Sequence, residues 1–208
     1  MNSKRELNFQ HLAEKRGKNS NTYNDLKSSE SGEYQVLTDL IKMFAQDKNR
    51  NMKKILIIGE DLIRIYPQIY RISPDAHFFI TNKSKEILES FKGYYKNRKN
   101  SCTYVLDISK GVSLADFIFY NGKVDLVIAN NIYSQLSKKK RYLSIKFLYR
   151  HYLRQYGILC IINYTQNSKR DKSSLLRTIK PVLEKEIPLK NKKNSIRFIF
   201  YIRKKKDI

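Results

Sequence analysis

The residues able to do chemistry in this chain collect where apolar runs end. Lys54-Ile55-Leu56-Ile57-Ile58 runs into Gly59-Glu60-Asp61. The run reads as a strand buried on both faces, and Gly59 lets the backbone turn sharply at its carboxyl end. Nucleotide-type ligands sit on such turns in parallel sheets. The dinucleotide fingerprint G-x-G-x-x-G is absent, because its next two glycine positions hold Asp61 and Arg64. A second run, Val124 to Ala129, ends in Asn130-Asn131, with Tyr133 just beyond. Amide and phenol groups there can orient a nitrogen or oxygen nucleophile by hydrogen bonding. The third feature is basic. Lys138, Lys139, Lys140, Arg141, Lys146, Arg150 and Arg154 are interleaved with Tyr142, Phe147, Tyr149 and Tyr152. Cations for phosphates and rings for bases suit an RNA face. The competing reading packs the rings on the sheet and leaves the charges merely solvated.

Other chemistries find little support. His11, His77 and His151 are isolated and make no metal-ligand spacing, so no metal is expected. Neither a G-x-S-x-G elbow nor a P-loop occurs. Cys102 and Cys160 lie in apolar runs and form no C-x-x-C pair. Two buried, reduced thiols in a reducing, cytoplasmic compartment are expected. No apolar run approaches the length of a membrane span, and residues 1–21 lack the apolar core of a secretory signal.

Charge is distributed unevenly. The 208 residues carry 42 Lys and Arg against 19 Asp and Glu, a net charge of +23. Residues 126–206 hold 21 of the basic side chains and only 3 acidic ones. Richness in Lys, Asn, Ile and Tyr is what an AT-rich genome produces, but that bias does not remove acids. A field this one-sided attracts polyanions, RNA first among them.

These residues need elements to position them. Residues 1–31 are polar, without a sustained period, and are expected to form a flexible segment ahead of an α/β domain at 32–208. Val36, Leu37, Leu40, Ile41 and Phe44 recur at helical spacing and predict a helix over 34–46. Strands are predicted at 54–58, 77–81, 102–106, 124–129 and 158–163. Helices alternate with them at about 61–71, from Ser84 onward, 112–120, 138–153 and 171–182. Pro67 makes the first of these either short or late-starting. Ser84 caps the next, with Ile87, Leu88, Phe91 and Tyr95 on its inner face. Residues 183–189 and 195–203 read as a hairpin around 190–194. The sum is a Rossmann-like, doubly wound α/β domain, with a mostly parallel seven-stranded sheet closed by a C-terminal antiparallel hairpin.

Five strand–helix units closed by a hairpin resemble the class I S-adenosylmethionine-dependent methyltransferase fold. The stretch 55–63 is similar to the family's glycine-rich first motif, and 80–88 to its second-strand motif. Tyr104-Val105-Leu106-Asp107 is similar to the third, Val124 to Asn131 to the fourth, and 153–162, with Gly157, to the turn into the fifth strand. The resemblance covers roughly 34–203 and implies S-adenosylmethionine as cofactor. It places Gly59, Glu60, Asp61, Asn82, Asp107, Ile108 and Asn130 at that cofactor. Asn82 falls where the family holds the ribose, Asp107 where it meets the adenine edge, and Asp61 near the sulfonium or methionine ammonium. Asp61 reads equally well as a helix cap. The resemblance puts Asn130, Asn131 and Tyr133 beside the reacting methyl. The family's first motif has an acid where Ile57 stands and further glycines where Asp61 and Ile63 stand; its second-strand acid aligns with Asn82. No N-P-P-[YF] tetrapeptide occurs, which disfavours transfer to exocyclic base nitrogens. The first expectation is a methyltransferase acting on RNA or an RNA-associated acceptor. A non-enzymatic RNA- or protein-binding member of the same fold is the second. A small-molecule methyltransferase with its N-terminal segment as lid is the third.

Overall fold

In the computed structural model, the described residues are 31–45, 52–95, 100–108, 117, 121–132, 136–166, 181–188 and 194–203. The expected N-terminal segment, Tyr133, the helix at 171–180 and most of that at 112–120 lie outside them. Continuous apolar runs become central strands, as burial on both faces requires. These are β1 (Lys54–Gly59), β4 (Val124–Asn130) and β5 (Leu153–Gln166). The flanking strands are β2 (His77–Asn82) and β3 (Ser101–Val105) on one side, and β7 (Asn194–Ile202) and β6 (Leu183–Pro188) on the other. The order is β3-β2-β1-β4-β5-β7-β6. The first five strands pair in parallel, and β7 runs antiparallel to both β5 and β6.

Alternation along the strands divides the core into two layers. Ile55 and Ile57 face α1 (Ser31–Ala45), α2 (Leu62–Tyr70) and α3 (Lys85–Tyr94), through Leu37, Ile41, Ile65 and Phe91. Leu56 and Ile58 face the opposite layer, where α4 (Lys138–Phe147) and a π-helical turn (Leu148–Tyr152) contribute Ile145, Leu148, Tyr149 and Tyr152.

Several local expectations are corrected. The helix α2 continues past Pro67, which lies inside it. Proline has no N–H for the carbonyl four residues back, that of Ile63. The Tyr95 hydroxyl donates to that carbonyl instead, at 2.8 Å. Ser84 does cap α3, accepting from the Ile87 N–H at 3.3 Å, but the Ile87 side chain is exposed. Strand β3 starts at Ser101, one residue early, and is a sheet edge, so Cys102 is only half-buried while Cys160 is fully buried. Strand β5 starts at Leu153, five residues early, because Tyr156 takes a left-handed turn (φ 63°) and the chain re-enters the sheet at Gly157. A Cβ on Gly157 would stand 3.0 Å from the Arg154 carbonyl oxygen and 3.1 Å from that of Asp125.

One buried acid ties the amino ends of three strands together. Asp125 Oδ2 accepts from the backbone N–H groups of Lys53 and Lys54, at 2.9 Å each. Its Oδ1 pairs with the Arg154 guanidinium.

Candidate functional site

The strand order reverses between the parallel strands β1 and β4: β2 and β3 build outward on one side, β5 on the other. The crevice at the carboxyl ends of those two strands is the switch point where open α/β sheets bind ligands. Gly59, Glu60 and Asp61 leave β1 there, and Asn130 and Asn131 leave β4.

Glycine is required at position 59 for two reasons. Its φ is +114°, and an added Cβ would stand 1.9 Å from the Asn130 carbonyl oxygen and 2.7 Å from Ile132 Cγ2. The glycine therefore serves close packing of β1 on β4, and its missing side chain faces protein. The two strand ends are then stapled. Glu60 N–H donates to the Asn130 carbonyl at 3.1 Å, and Asn130 Nδ2 donates to the Glu60 carbonyl at 2.8 Å. Asn131 Nδ2 donates to Glu60 Oε2 at 2.6 Å. Asp61 (φ 53°) and Asn131 (φ 49°) both sit in the left-handed region. Non-glycine residues of that kind collect at functional sites.

Asn130 is fully buried, yet its Oδ1 has no hydrogen-bond partner among the described residues. An unmet buried acceptor costs about 1–3 kcal/mol, which a donor arriving on a ligand or a water recovers.

Asp61 is the first residue before α2 but makes no side-chain cap. Its Oδ2 accepts from two phenols, Tyr34 at 3.0 Å and Tyr164 at 3.2 Å, whose hydroxyls are 3.0 Å apart. Tyr34 comes from α1 and Tyr164 from β5, so three distant segments meet on one carboxylate oxygen. Burial, then the Tyr164 hydroxyl and the Asp61 charge, raise the Tyr34 pKa far above that of a free phenol. Both of these side-chain bonds of Asp61 fall on Oδ2, and the residue as a whole is exposed. Sequence reasoning missed both tyrosines. Tyr34 continues the 37, 41, 44 face of α1 backwards by one step, and that period was the available signal.

The remaining residues lie around this centre. Asn82 is buried at the end of β2; its Nδ2 donates to the Gly59 carbonyl at 2.5 Å and its Oδ1 accepts from the Ser84 N–H at 2.8 Å. Its amide thus shapes the turn from behind. Asp107 is half-buried and Ile108 buried just past β3. The basic stretch is divided between two ends of the molecule. Lys138, Lys139, Lys140 and Arg141 begin α4 on the crevice side, and Arg141 Nε donates to the Leu136 carbonyl at 2.7 Å. Arg150 lies at the opposite end, as does Arg154, which is paired with Asp125. Tyr149 and Tyr152 are core residues, whereas Tyr142 is half-buried with Lys146 Nζ 5.8 Å from its ring centre. Among the described residues no three His, Cys, Asp or Glu side chains converge as metal ligands.

The sheet order, the switch-point crevice and the antiparallel β7 together decide the fold. The chain has the fold of the class I S-adenosylmethionine-dependent methyltransferases. It superposes on the CurJ carbon methyltransferase with a TM-score of 0.60 at 12% identity, covering 88% of this chain and 57% of that one. The N-methyltransferase NodS from Bradyrhizobium japonicum WM9 gives a TM-score of 0.61 at 9% identity, over 83% of this chain and 98% of that one. The Methanococcus jannaschii fibrillarin pre-rRNA processing protein gives 0.57 at 15% identity, over 75% and 68%. Neither a protein-family model nor a curated protein sequence matches the chain. Among the described residues no helix is long and apolar enough to cross a membrane.

The groups at the crevice are hydrogen-bond acceptors and suit a cationic group. Glu60 and Asp61 bring two carboxylates to the crevice of a chain with net charge +23. A sulfonium or ammonium group matches them, and the unmet Asn130 Oδ1 suits an N–H or O–H donor.

Proposed function

We propose that this chain binds S-adenosylmethionine at the β1/β4 crevice and is a methyltransferase for an anionic acceptor, RNA or an RNA-associated protein. The observation that carries the reading is the exposed Asp61 side chain at the crevice, its carboxylate held on one oxygen by Tyr34 and Tyr164. A carboxylate fixed in this way is preorganised for a cation. S-adenosylmethionine supplies, when bound, a methyl group already activated for in-line displacement. What the chain must supply is alignment. Asp61, with Glu60 behind it, holds the cationic end. Asn130 Oδ1 accepts from it. Asn82 supports the Gly59 turn, and Asp107 and Ile108 at the end of β3 border the nucleoside. Asn131, with its left-handed backbone, and Tyr133 orient the acceptor. The acid-poor C-terminal half favours a polyanionic acceptor.

A second reading has a specific observation behind it. Asp61 stands where the family has glycine, and the Asn82 amide is bonded to backbone on both sides. Both favour a non-enzymatic member that keeps the basic surface. Calorimetry with S-adenosylmethionine and its demethylated product separates the two. Each missing charge-assisted hydrogen bond costs about 1–2 kcal/mol, or about tenfold in affinity, so a dissociation constant of roughly tens of micromolar is expected. A nanomolar constant overturns the description of the first motif. No binding at millimolar cofactor overturns the methyltransferase reading in favour of the binding module.

A further inference from the structure

The amino end of the sheet, opposite the crevice, gathers cations from segments far apart in sequence. Lys53 precedes β1 and Lys54 opens it, Lys123 precedes β4, Arg150 and His151 lie in the π-helical turn, and Arg203 follows β7. Their proximity shows at His151. Burial lowers its imidazole pKa, and the charges of Lys123, Arg203 and Arg150 lower it further. Among the described residues, acids do not balance this group. Asp125 is bound to two backbone N–H groups and Arg154, Glu184 is paired with Arg197, and Asp75 precedes β2, three strands from β5.

Tyr156 joins this surface at Arg203. It is 48% exposed, its backbone is left-handed, and its side chain makes no ring contact or hydrogen bond among the described residues. A bulky residue at positive φ is an outlier with a cause to find. The turn is rigid. Tyr156 N–H donates to the Arg203 carbonyl at 2.9 Å, and Arg203 N–H donates to the Gly157 carbonyl at 3.0 Å. The buried Arg203 guanidinium also donates to the Leu153 carbonyl. A half-exposed flat ring is therefore carried on a fixed bulge at the cationic end of the sheet.

From this arrangement we infer that the amino end of the sheet is a single-stranded RNA platform, with Tyr156 stacking on a base and Lys123 and Arg150 holding the flanking phosphates. Rings with interspersed cations bind single strands through base stacking and backbone charge. An acidic peptide has no use for the ring, and a membrane surface needs a larger apolar face than one tyrosine. The inference rests on the RNA reading above and adds a location to it, away from the crevice.

The test is anisotropy with a labelled, mixed-sequence single-stranded RNA at several salt concentrations, using the full chain. Lys123 and Arg150 make no hydrogen bond or ion pair among the described residues, so their reversal leaves the fold intact, which a melting curve verifies. Tyr156→Ala is expected to weaken binding about tenfold, and Tyr156→Phe to bind as the parent does. Lys123→Glu with Arg150→Glu should lower the slope of log K against log salt by about 1.4, two contacts at about 0.7 each. If these variants bind as the parent does while Lys139→Glu with Lys140→Glu loses binding, the platform is refuted and RNA is held at the start of α4. If the parent binds no better than an unrelated basic protein, both the platform and the RNA acceptor fail, while the calorimetric cofactor result stands apart. If the variants bind RNA as the parent does but lose co-sedimentation with phosphatidylserine vesicles, the platform is refuted in favour of a membrane surface.

Discussion

Replacing Tyr95 by Phe should destabilise the protein only while Pro67 is present. Helix α2 begins at the crevice turn, with the Asp61 carbonyl accepting from the N–H groups of Arg64 and Ile65 at 3.0 Å each. Pro67 leaves the Ile63 carbonyl without its helical donor, and the Tyr95 hydroxyl fills the gap at 2.8 Å in a partly buried position. Removing the hydroxyl strands a carbonyl, at a cost of about 1–2 kcal/mol. For a chain of this size that corresponds to a melting-point drop of about 2–8 °C. In a Pro67→Ala background residue 67 regains its N–H, Ile63 is satisfied within the helix, and the tyrosine hydroxyl becomes dispensable. The double-mutant cycle should therefore give a coupling energy of about 1–2 kcal/mol. Thermal or urea melts of the four proteins measure it. Equal losses for Tyr95→Phe in both backgrounds would refute the compensation, as would no loss in the parent.

Three further outcomes are expected. Gly59→Ala should lower the melting point and cofactor affinity far more than Asp61→Ala, because its Cβ meets the Asn130 carbonyl oxygen at 1.9 Å; equal effects in melting and calorimetry would remove Gly59 as the pivot of the crevice. Thiol titration of the native protein should modify Cys102 alone, slowly, since burial raises its pKa, and Cys160 only on unfolding; two fast thiols would contradict the packing of β5. Alkaline stability should fall above about pH 10, the ordinary phenol value. Tyr34 and Tyr152 are raised well beyond that value and Tyr201 to about 12, mainly by burial, so the unfolded chain loses these protons first. Their contribution is complete below the unfolded pKa and disappears as pH rises through the folded one. A phenolate absorbance titration showing all tyrosines ionising together near pH 10 in the folded protein would refute this.

What the sequence reveals and conceals follows from the range of each interaction. Strands β1, β4 and β5 are legible because burial on both faces demands continuous apolar residues, and the hairpin because its break lies at 190–194. Ser84 is legible because a cap acts within one turn. Gly59 stands out for its place at a strand end, although its neighbour turns out to be the β4 backbone. The phenol pair on Asp61 joins positions 34, 61 and 164, and no local pattern marks it. Passage of α2 through Pro67 depends on a hydroxyl 32 residues from the carbonyl it serves. The rings interleaved with the basic stretch divide between core and surface because Tyr149 and Tyr152 share a helical face with the buried Ile145 and Leu148, while Tyr142 stays half-buried.

The contact between Asp125 and β1 has a consequence for register. Side chains alternate along a strand, so a slip of one residue would exchange every inward and outward position of β1. Nothing in Ile55-Leu56-Ile57-Ile58 resists such a slip, since both faces are apolar. Asp125 resists it at one end, because a single oxygen receives two successive amides, those of Lys53 and Lys54, 72 and 71 residues away in the chain. Gly59 resists it at the other, because only a residue without Cβ fits opposite Asn130. The strand is thus indexed like a ruler pinned at both ends, and the height at which Glu60 and Asp61 emerge is set in part by a carboxylate on the far side of the sheet.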